Sequence, residues 1–190
     1  MTDKDKNPVN SHFEYFLKDM RKHIKVFGVK NLIVDDLNTE DLSKFDGLGN
    51  ASHIEHVRKA LKRTGLGGDL DYLVVRASNG QPIAKGAVDY NSNKGAGTLI
   101  QLTTIHELRG LGLGSYIIEK LEDKIRQRGI YTAILGVEVD NQDAKRLYER
   151  LGYEEFGSTQ ESWEETDEYG NPYNYTAHEI LMMKELLRLQ

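Results

Sequence analysis

The sequence predicts a mixed α/β (α+β) fold, with a mainly antiparallel central sheet of about seven strands and helices on both faces. Three observations point to it. Apolar stripes at helical spacing alternate along the chain with runs of period two, with no internal repeat and no low-complexity linker. An Asn-Gly pair at 79 and 80 joins two strand-like runs into a hairpin, because it readily supplies the positive φ of a tight turn. From residue 106, "HELRGLGLGSYIIEKL" puts glycines at every second position and then turns into an amphipathic run.

The elements follow in order. Residues 1 to 10 are polar and read as loose, whereas Phe13, Phe16 or Leu17, Met20 and Ile24 recur at helical spacing and predict a short docked helix. "VKNLIVDDL" reads as a strand and "NTEDLSKF" as a helix opened by Asn38 or Thr39. "ASHIEHVRKALKRTG" is a second helix, with Ser52 and Glu55 at capping-box spacing and Gly65 as its stop. "DYLVVRAS" and "QPIAKGAVDYN" flank the Asn-Gly turn, and "GTLIQLTTI" adds a third strand to the meander. The helix 113 to 128 carries the stripe Leu113, Ile117, Leu121 and Ile125. "YTAILGVEV" is an apolar strand, "NQDAKRLYERLG" a short helix ending at Gly152, and "YEEFGSTQESW" with "YNYTAHEILMMKEL" a closing hairpin.

Composition narrows the function. A chain of 190 residues with 38% hydrophobic and 29% charged residues suits one compact soluble domain. The absence of cysteine removes disulfides, thiolate nucleophiles and Cys-ligated zinc. The N-terminus shows no apolar stretch following a basic one, and no run approaches the roughly 18 apolar residues of a membrane span, so no membrane partner and a cytoplasmic location are expected. With a net charge of −5 and no basic block, nucleic acid is not an expected partner, and small molecules are.

The glycine turn suits an anion. A helix N-terminus presents unpaired N–H groups and a partial positive charge, and glycines in front of it let a phosphate approach the backbone. The pattern lacks the lysine of a Walker loop, and Ser115 stands where a dinucleotide fingerprint needs its third glycine. It does fill R-x-x-G-x-G, with Arg109, Gly112 and Gly114, and Gly110 as an extra glycine. One strand later, "VDNQDAKRLYERLGY" fills N-x-x-A-x-x-L-Y-x-x-L-G-[FY].

Together these two segments resemble the GCN5-related N-acetyltransferases, the GNAT family, over roughly residues 29 to 185 and most sharply from Leu102 to Tyr153. The resemblance implies a GNAT-like acyl-CoA acyltransferase fold whose fourth and fifth strands splay apart to admit acetyl-CoA as cosubstrate. It divides the chain into an N-terminal extension, 1–28, and an acetyltransferase domain, 29–190. Pyrophosphate would sit on the N–H groups of Arg109, Gly110, Leu111, Gly112, Leu113, Gly114 and Ser115, and the backbone of Leu102 and Thr104 would pair with pantetheine. His106 and Leu108 stand where relatives often carry proline and an aromatic residue.

Spacing explains the second segment. On a helix, positions 141, 144 and 148 share one face over roughly 10 Å, while Leu147 and Leu151 turn to the core. Asn141 can pair with an amide of the pantetheine arm, small Ala144 permits close approach, and Tyr148 brings a hydroxyl to the far end. An amine of pKa about 10.4 is free base in roughly one molecule in a few thousand at neutral pH, so direct attack on the thioester needs a base. The leaving thiolate benefits from an acid, the role the resemblance gives Tyr148. Glu138 is the first candidate base, followed by Asp89, Tyr90 and His106, and no ligand cluster suggests a metal.

"SWEETDEYGNPYNYTAH" gathers Trp163, Tyr169, Tyr173 and Tyr175 with carboxylates, a composition suited to a cationic or aromatic amine or to a solvated hairpin with aromatic cross-strand pairs. The expected partner is a small-molecule amine acceptor. Protein N-terminal or lysine acetylation, a non-catalytic acyl-CoA sensor and a dinucleotide-binding oxidoreductase are the alternatives, and a homodimer is compatible with the sequence.

Overall fold

The computed structural model describes residues 8–65, 67–166 and 171–187, without the side chains of 8–11, 161, 163, 165 and 166. Helix α1, Pro8–Phe27, is longer than the apolar stripe alone required and starts at a proline, whose fixed φ suits the first helical turn. Its Leu17, Met20 and Ile24 are buried in the same apolar core as the sheet residues. Strand β1 is confined to Ile33–Asp36. A six-residue 3₁₀ turn, Thr39–Lys44, follows, and Asn38 caps it through a reciprocal box with Asp41.

Helix α2, Ala51–Leu61, corrects the expected cap. Asn50 is the last residue with extended backbone, and its side chain accepts from the His53 N–H at 2.8 Å; Ser52 already lies inside the helix. The helix also stops short of Gly65, at Leu61. Strands β2, Leu70–Arg76, and β3, Pro82–Asp89, form the expected hairpin with a looser connection than a two-residue turn. Ala77 N–H donates to Gln81 C=O and Gly80 N–H to Ala77 C=O, each at 2.9 Å, so the loop has three residues and only Gly80 takes positive φ.

Strand β4, Gly97–Thr104, helix α3, Leu113–Gln127, strand β5, Thr132–Glu138, helix α4, Gln142–Arg150, and the long hairpin β6, Glu154–Thr166, with β7, Pro172–Glu185, complete the chain. The seven strands are ordered β1-β2-β3-β4-β5-β7-β6, and β4–β5 is the parallel pair in an otherwise antiparallel sheet. Side-chain alternation assigns the faces. A Cβ at Gly86 would meet Leu121 of α3, and one at Gly97 would meet Ile125, so these positions lie under α3. Lys85, one residue from Gly86, points the other way and touches His53 of α2. Helices thus cover both faces, and the stripe Leu113, Ile117, Leu121 and Ile125 is wholly buried.

The corrected cap is directly measurable. Asn50→Ala should cost about 1 kcal/mol and lower the melting temperature by about 2–4 °C, whereas Ser52→Ala should stay within about 0.5 kcal/mol of the parent. Equal losses from the two variants in thermal denaturation would contradict the assignment.

Candidate functional site

Strands β4 and β5 are paired at Gly97↔Ala133, Thr98↔Ile134 and Leu99↔Leu135, and pairing stops there. Beyond that point β4 stays with β3 as far as Thr104↔Ala84, and β5 stays with β7 as far as Glu138↔Glu179. The two strands therefore diverge. The Ile105 N–H donates to Ile83 C=O on the β3 side, and because successive peptide groups alternate, the backbone of Leu102 and Thr104 faces the gap. An extra residue in β4 opposite Lys85–Ala87 forms a bulge at this level. Gln101 takes it up with φ 53°, the one positive φ outside glycine among the described residues.

At the end of the gap lies the glycine turn. Gly110 and Gly112 both have positive φ, and Gly112 is the N-cap of α3 with no side-chain cap. The Tyr116 N–H bonds back to Gly112 C=O at 2.9 Å, which leaves the N–H groups of Leu113, Gly114 and Ser115 as the unpaired first turn. Gly114 is small for another reason: a Cβ there would stand 3.1 Å from Leu147 Cδ2. Close approach of α4 to the start of α3 sets the Asn141–Tyr148 segment beside the turn.

On α4, Asn141 is the N-cap, and its Oδ1 accepts from the Ala144 N–H at 3.2 Å. Its side-chain oxygen thus fixes the helix start, and among the described residues its amide NH₂ donates to nothing. Tyr148 is 8% exposed and packs edge-on against Tyr153 with ring centroids 6.2 Å apart. Burial, and secondarily the Glu179 carboxylate, push its phenol up to about 12, so it holds its proton at neutral pH. Glu138 accepts from Tyr175 Oη at 3.0 Å, and that bond raises the Tyr175 phenol. Glu179 is the register partner of Glu138, and its carboxylate lies over Gly136, where any side chain would collide with it. Tyr173 is exposed; the Trp163 side chain and Tyr169 lie outside the described residues.

The remaining candidate bases are placed elsewhere. Asp89 is opposite Thr98, at the closed end of the β4–β5 pair, where Arg63 holds it at 2.8 Å and keeps its carboxyl below the usual range despite burial. Tyr90 donates to Asp71 at 2.7 Å and lies under the Arg128 guanidinium. His106 is exposed in a short 3₁₀ turn, His106–Leu108, and Leu108 is fully buried there. An open groove of about 410 Å³ between β1 and α3, lined by Asp35, Asp36, Lys120 and Lys124 among others, carries no part of this constellation.

One cluster escaped the sequence reading. Lys85 is 0% exposed, with Nζ 2.6 Å from His53 Nε2, 3.2 Å from Tyr72 Oη, 3.3 Å from Gln101 C=O and 3.4 Å from Thr103 Oγ1. By alternation it would be a solvent-facing lysine on a strand, and the cover supplied by α2 reverses that. Burial brings its ammonium down to about 7.

A family model, acetyltransferase (GNAT) family, matches residues 37–153. N-alpha-acetyltransferase 30 of Schizosaccharomyces pombe is 35% identical over 57 residues, 30% of this chain and 38% of that protein, well under two thirds of its length. The ribosomal-protein-S18-alanine N-acetyltransferase of Escherichia coli superposes with a TM-score of 0.58 at 22% identity, covering 84% of this chain and 96% of that one. The PaiA N-acetyltransferase of Thermoplasma acidophilum, solved with coenzyme A, gives 0.58 at 15% identity over 82% of this chain and 99% of that one. At these identities both structures speak for the fold.

Lys85 sets the sign of one stability change with pH. Its folded value is about 7 against a reference of 10.5, so between those values the unfolded chain binds more protons and stability rises with pH. Below pH 7 both states are protonated and this contribution is flat. Relative to Lys85→Met, the parent should gain about 1 kcal/mol per pH unit at the steepest point of that window, read by urea denaturation at pH 7 and 9. A pH-independent difference would refute the burial of the charge.

Proposed function

The chain belongs to the acetyltransferase (GNAT) family of acyl-CoA-dependent N-acyltransferases, and from that premise we propose that it moves an acetyl group from acetyl-CoA to the primary amine of a small-molecule acceptor. The observation that carries this reading is the gap between β4 and β5, which opens beside an uncapped helix N-terminus and a buried tyrosine hydroxyl. Pyrophosphate would rest on the N–H groups from Arg109 to Ser115, where the α3 macrodipole favours negative charge. The backbone of Leu102 and Thr104 would extend pantetheine along β4 as a surrogate strand, with the Asn141 amide donating to it from the other side and Ala144 leaving it room.

In the reaction, the amine nitrogen attacks the thioester carbonyl carbon, the C–S bond breaks, and the thiolate takes a proton from Tyr148. Among the described residues the Tyr148 hydroxyl donates to no other group, which suits a donor reserved for the leaving sulfur. The amine gives up its proton toward Glu138, whose position next to Glu179 makes this wall attractive to an ammonium ion. Tyr175, bonded to Glu138, orients the carboxylate. A protein N-terminus is the second reading, favoured by the stretch shared with N-alpha-acetyltransferase 30. The same proposal treats residues 29–190 as the transferase domain and 1–28 as its extension.

Release of free CoA thiol from acetyl-CoA, followed against amines and N-terminal peptides, tests the activity and separates it from a sensor that binds without turnover. Tyr148→Phe removes the proton donor and keeps the ring, so turnover should fall about 10²- to 10⁴-fold with acetyl-CoA affinity nearly unchanged. A variant within about twofold of the parent would make Tyr148 a packing residue.

A further inference from the structure

The two walls of the gap differ in charge. Leu99 and Leu135 are register partners on the α3 face, so Glu138, three residues beyond Leu135, lies on the α2 face, and its partner Glu179 lies there with it. Lys85 is three residues from Val88, the partner of Leu99, and lies on the α2 face too. One arm of the gap therefore presents two carboxylates and the other a buried lysine.

That lysine differs from the other buried charges. Asp41 is paired with Arg76, Asp89 with Arg63, and Glu122 with Lys184 and Arg126. Among the described residues the partners of Lys85 are uncharged or titrating: His53 from α2, Tyr72 from β2, and Gln101 and Thr103 from β4, with the Phe45 and Tyr72 rings 5.7 Å away. Among the described residues no carboxylate lies within 4 Å of its Nζ, and leaving a buried cation without its counter-charge is costly. Gln101 belongs to β4, the strand between that of Lys85 and the gap. Its Oε1 accepts from Tyr72 Oη at 2.8 Å, which turns its NH₂ group away from Tyr72, and among the described residues that NH₂ donates to nothing. A positive φ at a non-glycine residue holds it there, a conformation disfavoured by about 1–2 kcal/mol.

We propose that the acceptor is an aminocarboxylate, a small amine carrying a carboxylate, whose amine faces Glu138 and Glu179 and whose carboxylate faces Gln101 and the Lys85–His53 pair. This rests on the N-acetyltransferase reading above and narrows its substrate class. A carboxylate bound there would favour the protonated form of Lys85, accepting from the Gln101 amide in the field of the ammonium so formed. Lys85, being fully buried, acts through His53 and Gln101 as a positioning residue. Polyamines, with no anionic group, leave this arm unsatisfied.

The test uses the full chain, acetyl-CoA, and a panel of free α-amino acids paired with their carboxamides, each rate corrected for the free-base fraction of its amine. For the best pair the acid should exceed the carboxamide in kcat/KM by about 10-fold, because the carboxamide keeps an acceptor oxygen for Gln101 and loses only the charge that strengthens the bond. Lys85→Met should bring that ratio to about one, and Gln101→Glu, close to isosteric and able to keep the Tyr72 bond, should reverse it, so the result does not hang on one variant folding. Carboxamides or C-terminally blocked peptides acetylated as well as the acids would overturn the aminocarboxylate class while leaving the transferase reading standing. A ratio that survives both substitutions would remove Lys85 and Gln101 from the account. No CoA release with this panel, beside release with polyamines or other amines lacking a carboxylate, would likewise overturn the aminocarboxylate class alone, whereas no release with any amine would sink the transferase reading as well.

Discussion

Strands β4 and β5 share three register pairs and no more, because each is held to its end on the other flank: β4 by β3 as far as Thr104, β5 by β7 as far as Glu138. That tie forces two parallel neighbours apart and turns β4 backbone groups toward the gap rather than toward β5; among them the Thr104 carbonyl accepts from Arg109 Nε at 3.5 Å. Such groups are costly when dry and unpaired, so an extended ligand rich in amides is the natural occupant. The helix starts belong to the same arrangement. α3 begins at the glycine turn after β4 and α4 begins at Asn141 after β5, and Leu147 against Gly114 locks the two together.

The far end of the sheet is closed by charge. Arg63 bridges Asp69 and Asp89, Asn91 bonds Asp69, and Arg128 joins Asp71 while covering the Tyr90 ring at 4.0 Å. Burial would raise the Asp89 carboxyl, and the bonds from Arg63 and from the Asn91 and Ser92 N–H groups outweigh it. A carboxylate so satisfied is a poor base, and its role is to tie the edge of α2 to the meander. The gap can open at one end because this network fixes the other. Lys85 lies between, a buried amine with no carboxylate partner among the described residues.

Much of this is legible in the chain. The stripe of α3, the three glycines and the spacing of Asn141, Ala144 and Tyr148 follow from helical periodicity and backbone sterics, which act locally. What was hidden depends on the partners of each residue. Ser52 and Asn50 are both good caps, and only the entry direction of the chain selects Asn50. The bulge at Gln101 is invisible in "GTLIQLTTI", because one extra residue leaves the apolar content unchanged. Lys85 sits in "QPIAKGAVDYN" as an ordinary outward lysine until α2 covers that face, and Glu179 reaches the site only because β7 pairs with β5.

The β4–β5 gap and the glycine turn together are the proposed seat of acyl-CoA. Amide hydrogen exchange with and without saturating acetyl-CoA reads it most directly, since the relevant N–H groups are unpaired in the free protein. New protection is expected at Leu102, Thr104 and the segment 110–115, with the already paired segment 97–99 unchanged. Tight binding accompanied by protection only elsewhere, with both segments exchanging as before, would contradict it.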